Sequence, residues 1–264
     1  MVGQYQGPTG TAALAVVAPV WNIIYSLGLL TGIGGSVLFS TMRGQATGNE
    51  KKSNEYFSAA VIGTVILTAL TWAALIFFDR QILKYLGTDA LSVYGIIINI
   101  STFVQCCAYS IGQASQPIIS GNYGVGEKRR IGEILKYALG TAAVFGVVWT
   151  LAAELVPNGF VRIFMTPTDS ILSIAPGIIR RYGISFLLLP FNIFSTYYFQ
   201  AMMKPSTAFV VSVGRGAVLS GLLIYLLPVV AGADSIWFAM PITELVVAVF
   251  VAVMMRRCQK QPIR

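Results

Sequence analysis

The sequence predicts an all-α membrane protein with about seven transmembrane helices. Three observations carry that expectation. Of 264 residues, 56% are hydrophobic and only 11% are charged, with a mean hydropathy of +0.74, whereas soluble domains average about 25% charged residues. Seven apolar stretches are long enough to cross a hydrocarbon core, which takes roughly 20 residues; they run over 12–40, 57–78, 91–118, 134–156, 183–203, 208–231 and 235–255. The chain also repeats itself: Asn22, Gly35, Glu50, Lys51 and Trp72 recur 77 residues later as Asn99, Gly112, Glu127, Lys128 and Trp149.

The first four stretches belong to this repeat. Each copy runs from an apolar stretch through a Gly-rich polar loop with a basic cluster into a second apolar stretch. Two crossings separate the copies, an even number, so both point the same way and are related by an axis along the membrane normal. The fifth stretch ends before Lys204-Pro205, and the seventh follows the polar break at Gly232 to Asp234. A further apolar segment, 171–179, is too short to cross and ends at Arg180 and Arg181. It is expected to be an interfacial lead-in to the fifth span.

The formal charge of +8 would suggest nucleic acid on a soluble protein. Here the bases flank apolar runs and have no aromatic residues interleaved with them, so they read as topology signals and no nucleic-acid partner is expected. On one side lie Arg43, Lys51, Lys52, Lys128, Arg129, Arg130, Lys136, Lys204, Arg256, Arg257, Lys260 and Arg264, and on the other Arg80, Lys84, Arg162, Arg180 and Arg181. That asymmetry puts the C-terminus in the cytoplasm and, with seven crossings, the N-terminus outside. No Lys or Arg precedes Arg43, so the first stretch lacks the basic region of a signal peptide.

The chain has no His, which removes His-based triads, imidazole metal sites and the usual near-neutral proton shuttle. Cys106 and Cys107 are adjacent in an apolar run and Cys258 lies in a basic tail, a pattern that is neither zinc site nor disulfide framework. No nucleophile, base and orienter fall together. Neither an enzyme, a metal nor a cofactor is expected.

Ionisable side chains deep in a bilayer are costly and mark functional hypotheses. Glu244 lies about nine residues into its span, roughly 14 Å deep at 1.5 Å per residue, where a carboxylate suits cation coupling. Its alternative is a structural Glu held by backbone or a Ser/Thr neighbour. Arg215 either pairs with Glu244 or a helix-end carbonyl, or snorkels to the near interface. Asn22, Asn99, Gln105, Gln113, Gln116, Asn192 and Gln200 must bond across helices or line a wet cavity. Asn22 and Asn99 hold equivalent repeat positions and are expected to face one seam. Tyr197, Tyr198, Phe199 and Gln200 read either as an aromatic belt at the membrane surface or as rings that stack on a flat cation. Gly28, Gly32 and Gly35 lack Walker order and read as helix packing, while Pro19, Pro117, Pro190, Pro228 and Pro241 are candidate kinks.

Four segments then resemble one family. GQASQPIISGNYGVGEKRR (112–130) is similar to a span end and cytoplasmic loop of the multidrug and toxic compound extrusion (MATE) family. YYFQAMMKPSTAFVVSVGRG (197–216) resembles that family's tenth span, its turn and the Arg opening the eleventh. SIWFAMPITEL (235–245) looks like the start of the twelfth, and residues 13–45 resemble the second. The resemblance implies a cation-coupled antiporter of the cell membrane that exports organic cations or drugs by alternating access in exchange for Na⁺ or H⁺. Twelve spans in two lobes are the family's pattern. Here second- and third-span sequence (about 8–87) is expected to join eighth-to-twelfth-span sequence (about 89–264) near Gly87, Thr88 and Asp89. The chain would then be truncated and internally deleted, with an incomplete lobe at 1–88 and a nearly complete C-terminal lobe at 89–264. The family's cation site is expected to use acids in its first, seventh and tenth spans. In the tenth-span equivalent the nearest polar residue is Asn192, which leaves Glu244 as the coupling candidate. Asn22, Asn99, Gln113, Asn192, Tyr197, Gln200 and Arg215 are the substrate-cavity candidates. A homodimer that rebuilds a two-lobed pathway, a non-transporting remnant and a flippase-like relative handling lipid-linked substrates are the alternatives.

Overall fold

A computed structural model of the chain describes residues 54, 55, 57–66, 68, 69 and 88–260. The described residues fall in two compact units, 54–69 in the smaller and 88–260 in the larger. In the smaller one, a short apolar helix, α1, covers Phe57–Ile66. In the larger one, five helices are long and apolar enough to cross a membrane: Asp89–Gly124, Lys128–Leu155, Asp169–Ala201, Pro205–Ala231 and Ala233–Lys260. No strand occurs among the described residues. The expected first span, 12–40, lies outside the described residues, and of 57–78 only the part within α1 and its flanks is described.

The larger unit begins with α2 (Thr88–Gly124), which has Asp89 in its first turn, where the helix dipole favours an acid. Pro117 sits inside it. A tight turn follows, in which Gly126 adopts φ 79° and so costs no Cβ strain. α3 then covers Lys128–Leu155, and the short α4 (Pro157–Phe164) opens on proline. The next helix, α5 (Asp169–Gly183), starts at Thr168, whose hydroxyl accepts from the Ile171 N–H.

The segment 171–179 leads into the fifth span, as expected, and does so as continuous helix. The segment is the opening of a helix that continues through a 3₁₀ stretch (Ile184–Leu187) into α6 (Leu189–Ala201), a run of 33 residues. Ile171, Ala175, Ile178 and Ile179 are buried along it. Arg180 and Arg181 close the apolar stretch, as expected, and each has a partner near the surface. Arg180 donates to the Glu154 carbonyl at 3.0 Å, and Arg181 to Asp234 Oδ2 at 3.2 Å.

α6 ends in a Schellman-type cap, with the Lys204 N–H bonding the Phe199 carbonyl at 2.8 Å and the Met203 N–H bonding that of Gln200. Met203 takes φ 55° at the left-handed position. Pro205 then opens α7 (Pro205–Val213). A π-helical segment, Gly214–Leu219, separates α7 from α8 (Ser220–Ala231). A 3₁₀ turn (Ala233–Phe238) leads into α9 (Ala239–Lys260).

α2 packs most extensively against α6 and α3. At the end carrying Lys128 and Lys260, one cluster joins Ile131 and Leu135 of α3, Phe194 and Phe199 of α6, Ala208 and Val211 of α7, and Val251, Met255 and Cys258 of α9. α3 closes on the 3₁₀ stretch through small residues, as membrane helices do. A Cβ on Gly146 would lie 2.6 Å from the Leu187 carbonyl oxygen and 3.2 Å from that of Phe186. Those are backbone atoms and cannot swing away, so Gly146→Ala is expected to destabilise the folded chain by about 1–3 kcal/mol. Thermal unfolding in detergent checks this, with Gly140→Ala, which meets nothing within 4 Å, as the neutral control.

Candidate functional site

Three of the polar residues isolated in the sequence meet in the larger unit. Glu244, in the second turn of α9, is completely buried. Arg215, from the π segment, places Nη1 3.0 Å from Glu244 Oε1, and its side chain is only 15% exposed. Asn192, near the start of α6 and fully buried, donates from Nδ2 to Glu244 Oε2 and, at 2.8 Å, to the Glu244 backbone carbonyl. Both carboxylate oxygens are thereby satisfied, one by a cation and one by an amide. A buried carboxylate without such partners would be prohibitively costly.

Local structure explains each placement. Pro190 within the first turn of α6 presets the helix that carries Asn192. Ser195 donates back to the Asn192 carbonyl at 2.7 Å, and Thr243 to the Ala239 carbonyl at 2.8 Å, so the hydroxyls beside the site are consumed within their own helices. Asn192 Oδ1 is buried and accepts from no group among the described residues. The amide turns Nδ2, not this oxygen, to the carboxylate.

Two tyrosines border this triad, a third lies beside one of them, and none was among the residues singled out in the sequence as candidates. Tyr182 of α5 lies against Ser101 of α2 and within electrostatic range of Tyr94, Glu244 and Arg215. Tyr109 of α2 is near Arg215. Tyr94 stacks at a tilt on Trp237, with centroids 6.1 Å apart. A hydroxyl-bearing ring inside an apolar run was the available signal.

The remaining candidates are placed differently. Asn22 lies outside the described residues. Asn99 does not reach across a seam; its amide donates to the Gly95 carbonyl of its own helix at 2.8 Å. Gln113 is exposed, on a face of α2 shared with Thr102, Cys106 and Ser110. The belt reading of Tyr197, Tyr198, Phe199 and Gln200 is overturned, because all four are buried, whereas belt residues must face the lipid surface. Tyr197 meets Tyr109 edge to face at 6.4 Å, its ring close against Gly112. Gln200 accepts from Gln116 at 3.3 Å. The snorkelling alternative for Arg215 also fails, since the side chain turns inward to Glu244.

Five long apolar helices, three of which contribute to a buried ion pair and its amide partner, define a multi-pass α-helical membrane protein. The MatE family model matches the chain twice, over residues 1–90 and again over 82–226. The chain belongs to the MatE family, the multidrug and toxic compound extrusion transporters. No curated protein and no solved structure matches it.

Proposed function

We propose that this chain exchanges small organic cations or drugs for Na⁺ or H⁺ by alternating access, with Glu244 as the coupling carboxylate. The observation that carries the reading is the burial of Glu244 beside Asn192, whose amide oxygen has no donor among the described residues. A carboxylate and a neutral oxygen on adjoining helices form the kind of pair that takes Na⁺, while a proton needs the carboxylate alone. The exposed Gln113 on α2 supports a wall on which a polar drug can slide, since an amide is poorly suited to bare lipid, while Thr102 and Ser110 beside it bond back to their own helix. A second copy of the chain is the partner that completes this wall.

In proteoliposomes, export of a fluorescent organic cation driven by a Na⁺ or proton gradient is expected to be lost in Glu244→Gln, while the folded protein still elutes as a single species. Undiminished gradient-driven export by that variant sinks the coupling role. No export by the unsubstituted chain favours the non-transporting remnant.

The C-terminus is cytoplasmic in this reading. Exposed Lys128, Arg129 and Arg130 and exposed Arg256, Arg257 and Lys260 flank residues of one hydrophobic cluster, which gathers the bases at one end, as the positive-inside bias requires. Protease mapping that puts Lys128 and Arg257 on opposite faces of the bilayer overturns this orientation.

A further inference from the structure

Arg215 belongs to the least packed of the five long helices. In Pro205–Ala231 only 12% of the most apolar window is buried, against 39% in Ala233–Lys260. α7 is anchored by buried Ala208 and Val211. In α8 only Ser220 is buried, and Leu222, Tyr225, Leu226, Val229 and Val230 are all exposed. Between them lies the six-residue π segment, with Arg215 as its second residue. A Cβ placed on either flanking glycine, Gly214 or Gly216, would meet nothing within 4 Å.

A π segment accommodates one residue more than the α-helix around it, its hydrogen bonds running from residue i to i+5. Moving that extra residue along the helix turns each position it passes by about 100°, the rotation per residue at 3.6 residues per turn. Such a turn requires space and weak anchoring. Both are present here, the first at the glycines and the second in α8.

The geometry points to Gly214–Leu219 as a register switch that swings the Arg215 guanidinium onto and off Glu244. This rests on Glu244 being the coupling carboxylate and extends it: Arg215 is a positioning residue that acts as a resident cation. With Arg215 docked at 3.0 Å, the carboxylate has its countercharge and does not take an ion. With Arg215 turned away, Glu244 and Asn192 remain together and a Na⁺ or proton must replace the guanidinium. The exchange of one cation for another at a single carboxylate prevents the carrier from cycling with a bare buried charge.

The test is the reactivity of Glu244 towards dicyclohexylcarbodiimide, a membrane-permeant reagent for buried carboxyl groups, read by mass spectrometry on the full chain in nanodiscs. Deleting Gly214, the residue of the π segment between anchored α7 and Arg215, lets the helix close as α and turns Arg215 by about 100° away from Glu244. Labelling of Glu244 is expected to rise at least about tenfold, the scale set by losing one partner of a buried ion pair. Arg215→Gln should rise equally, while Arg215→Lys, which keeps a charge at that place, should stay close to the unmodified chain. A deletion variant that folds and labels as slowly as the unmodified chain overturns the switch. Should it misfold, hydrogen exchange of the unmodified chain decides. Amides of 214–219 are expected to exchange faster than those of 243–255 and to respond to saturating Na⁺ or tetraphenylphosphonium; protection equal to α9 under every condition overturns the switch. Failure of these arms leaves the Glu244→Gln export result standing, and failure of that export result leaves these measurements standing, so the two readings can be lost separately.

Discussion

Arg215→Ala is expected to lower the stability of the folded chain by about 3–5 kcal/mol, the scale for removing one partner of a buried ion pair. The loss does not come from one hydrogen bond at 3.0 Å. It comes from leaving the fully buried Glu244 carboxylate with a single amide, that of Asn192. Denaturant titration in detergent measures it. Arg129→Ala is the contrast, because Arg129 and Glu133 form an ion pair one turn apart with side chains 90% and 55% exposed. Solvent screens that pair, and its loss should shift stability by no more than about 0.5 kcal/mol. If both substitutions cost the same, the interior pair is not shielded as described.

The second large effect separates structure from transport. The double substitution Arg215→Met with Glu244→Leu removes both charges and replaces them with side chains of similar reach. Apolar replacement of a buried ion pair is often neutral or stabilising by about 1–4 kcal/mol, so most of the stability lost in Arg215→Ala should return. Recovery falls short of that range because Asn192 loses its carboxylate acceptor. It keeps the backbone carbonyl of residue 244, at 2.8 Å, which the substitution leaves in place. Gradient-driven export should remain absent. A double variant that exports normally would show that neither charge takes part in coupling, whatever their contribution to folding.

Much of this site could be read from the chain. Glu244 and Arg215 stand out because charged side chains are rare inside long apolar runs, and Asn192 because an amide there must find a partner. The pairing of Arg215 with Glu244 was among the sequence's options, but the partner of Asn192 was not accessible. Asn192 and Glu244 are 52 residues apart, and nothing in either local pattern encodes their approach. It follows from how α6 and α9 pack. The π segment has no clear local signature, since Gly-Arg-Gly fits several backbone forms. Gln116 and Gln200 carried a readable polar signal, yet their mutual bond spans 84 residues. The aromatic run at 197–200 was misleading for a physical reason: ring composition near a span end is shared by belts and interiors, and only burial separates them.

The lead-in at 171–179 was legible as a segment, but not its being helical and continuous with the fifth span. Two adjacent arginines normally mark the edge of hydrocarbon, and Pro176 and Gly177 lower helix propensity. The helix persists because Thr168 caps its start and because Glu154 and Asp234 receive the two guanidinium groups. Tertiary partners decided an element that local preference left open.

α2 and the run from Asp169 to Ala201 contain 36 and 33 membrane-candidate residues, about 50 Å each at 1.5 Å per residue. A hydrocarbon slab is about 30 Å thick, so neither fits inside one. Each must therefore tilt or reach past the slab, and the bond from Ser170 to Asp89 at 2.7 Å, across 81 residues of sequence, obliges the first turns of the two helices to do so together.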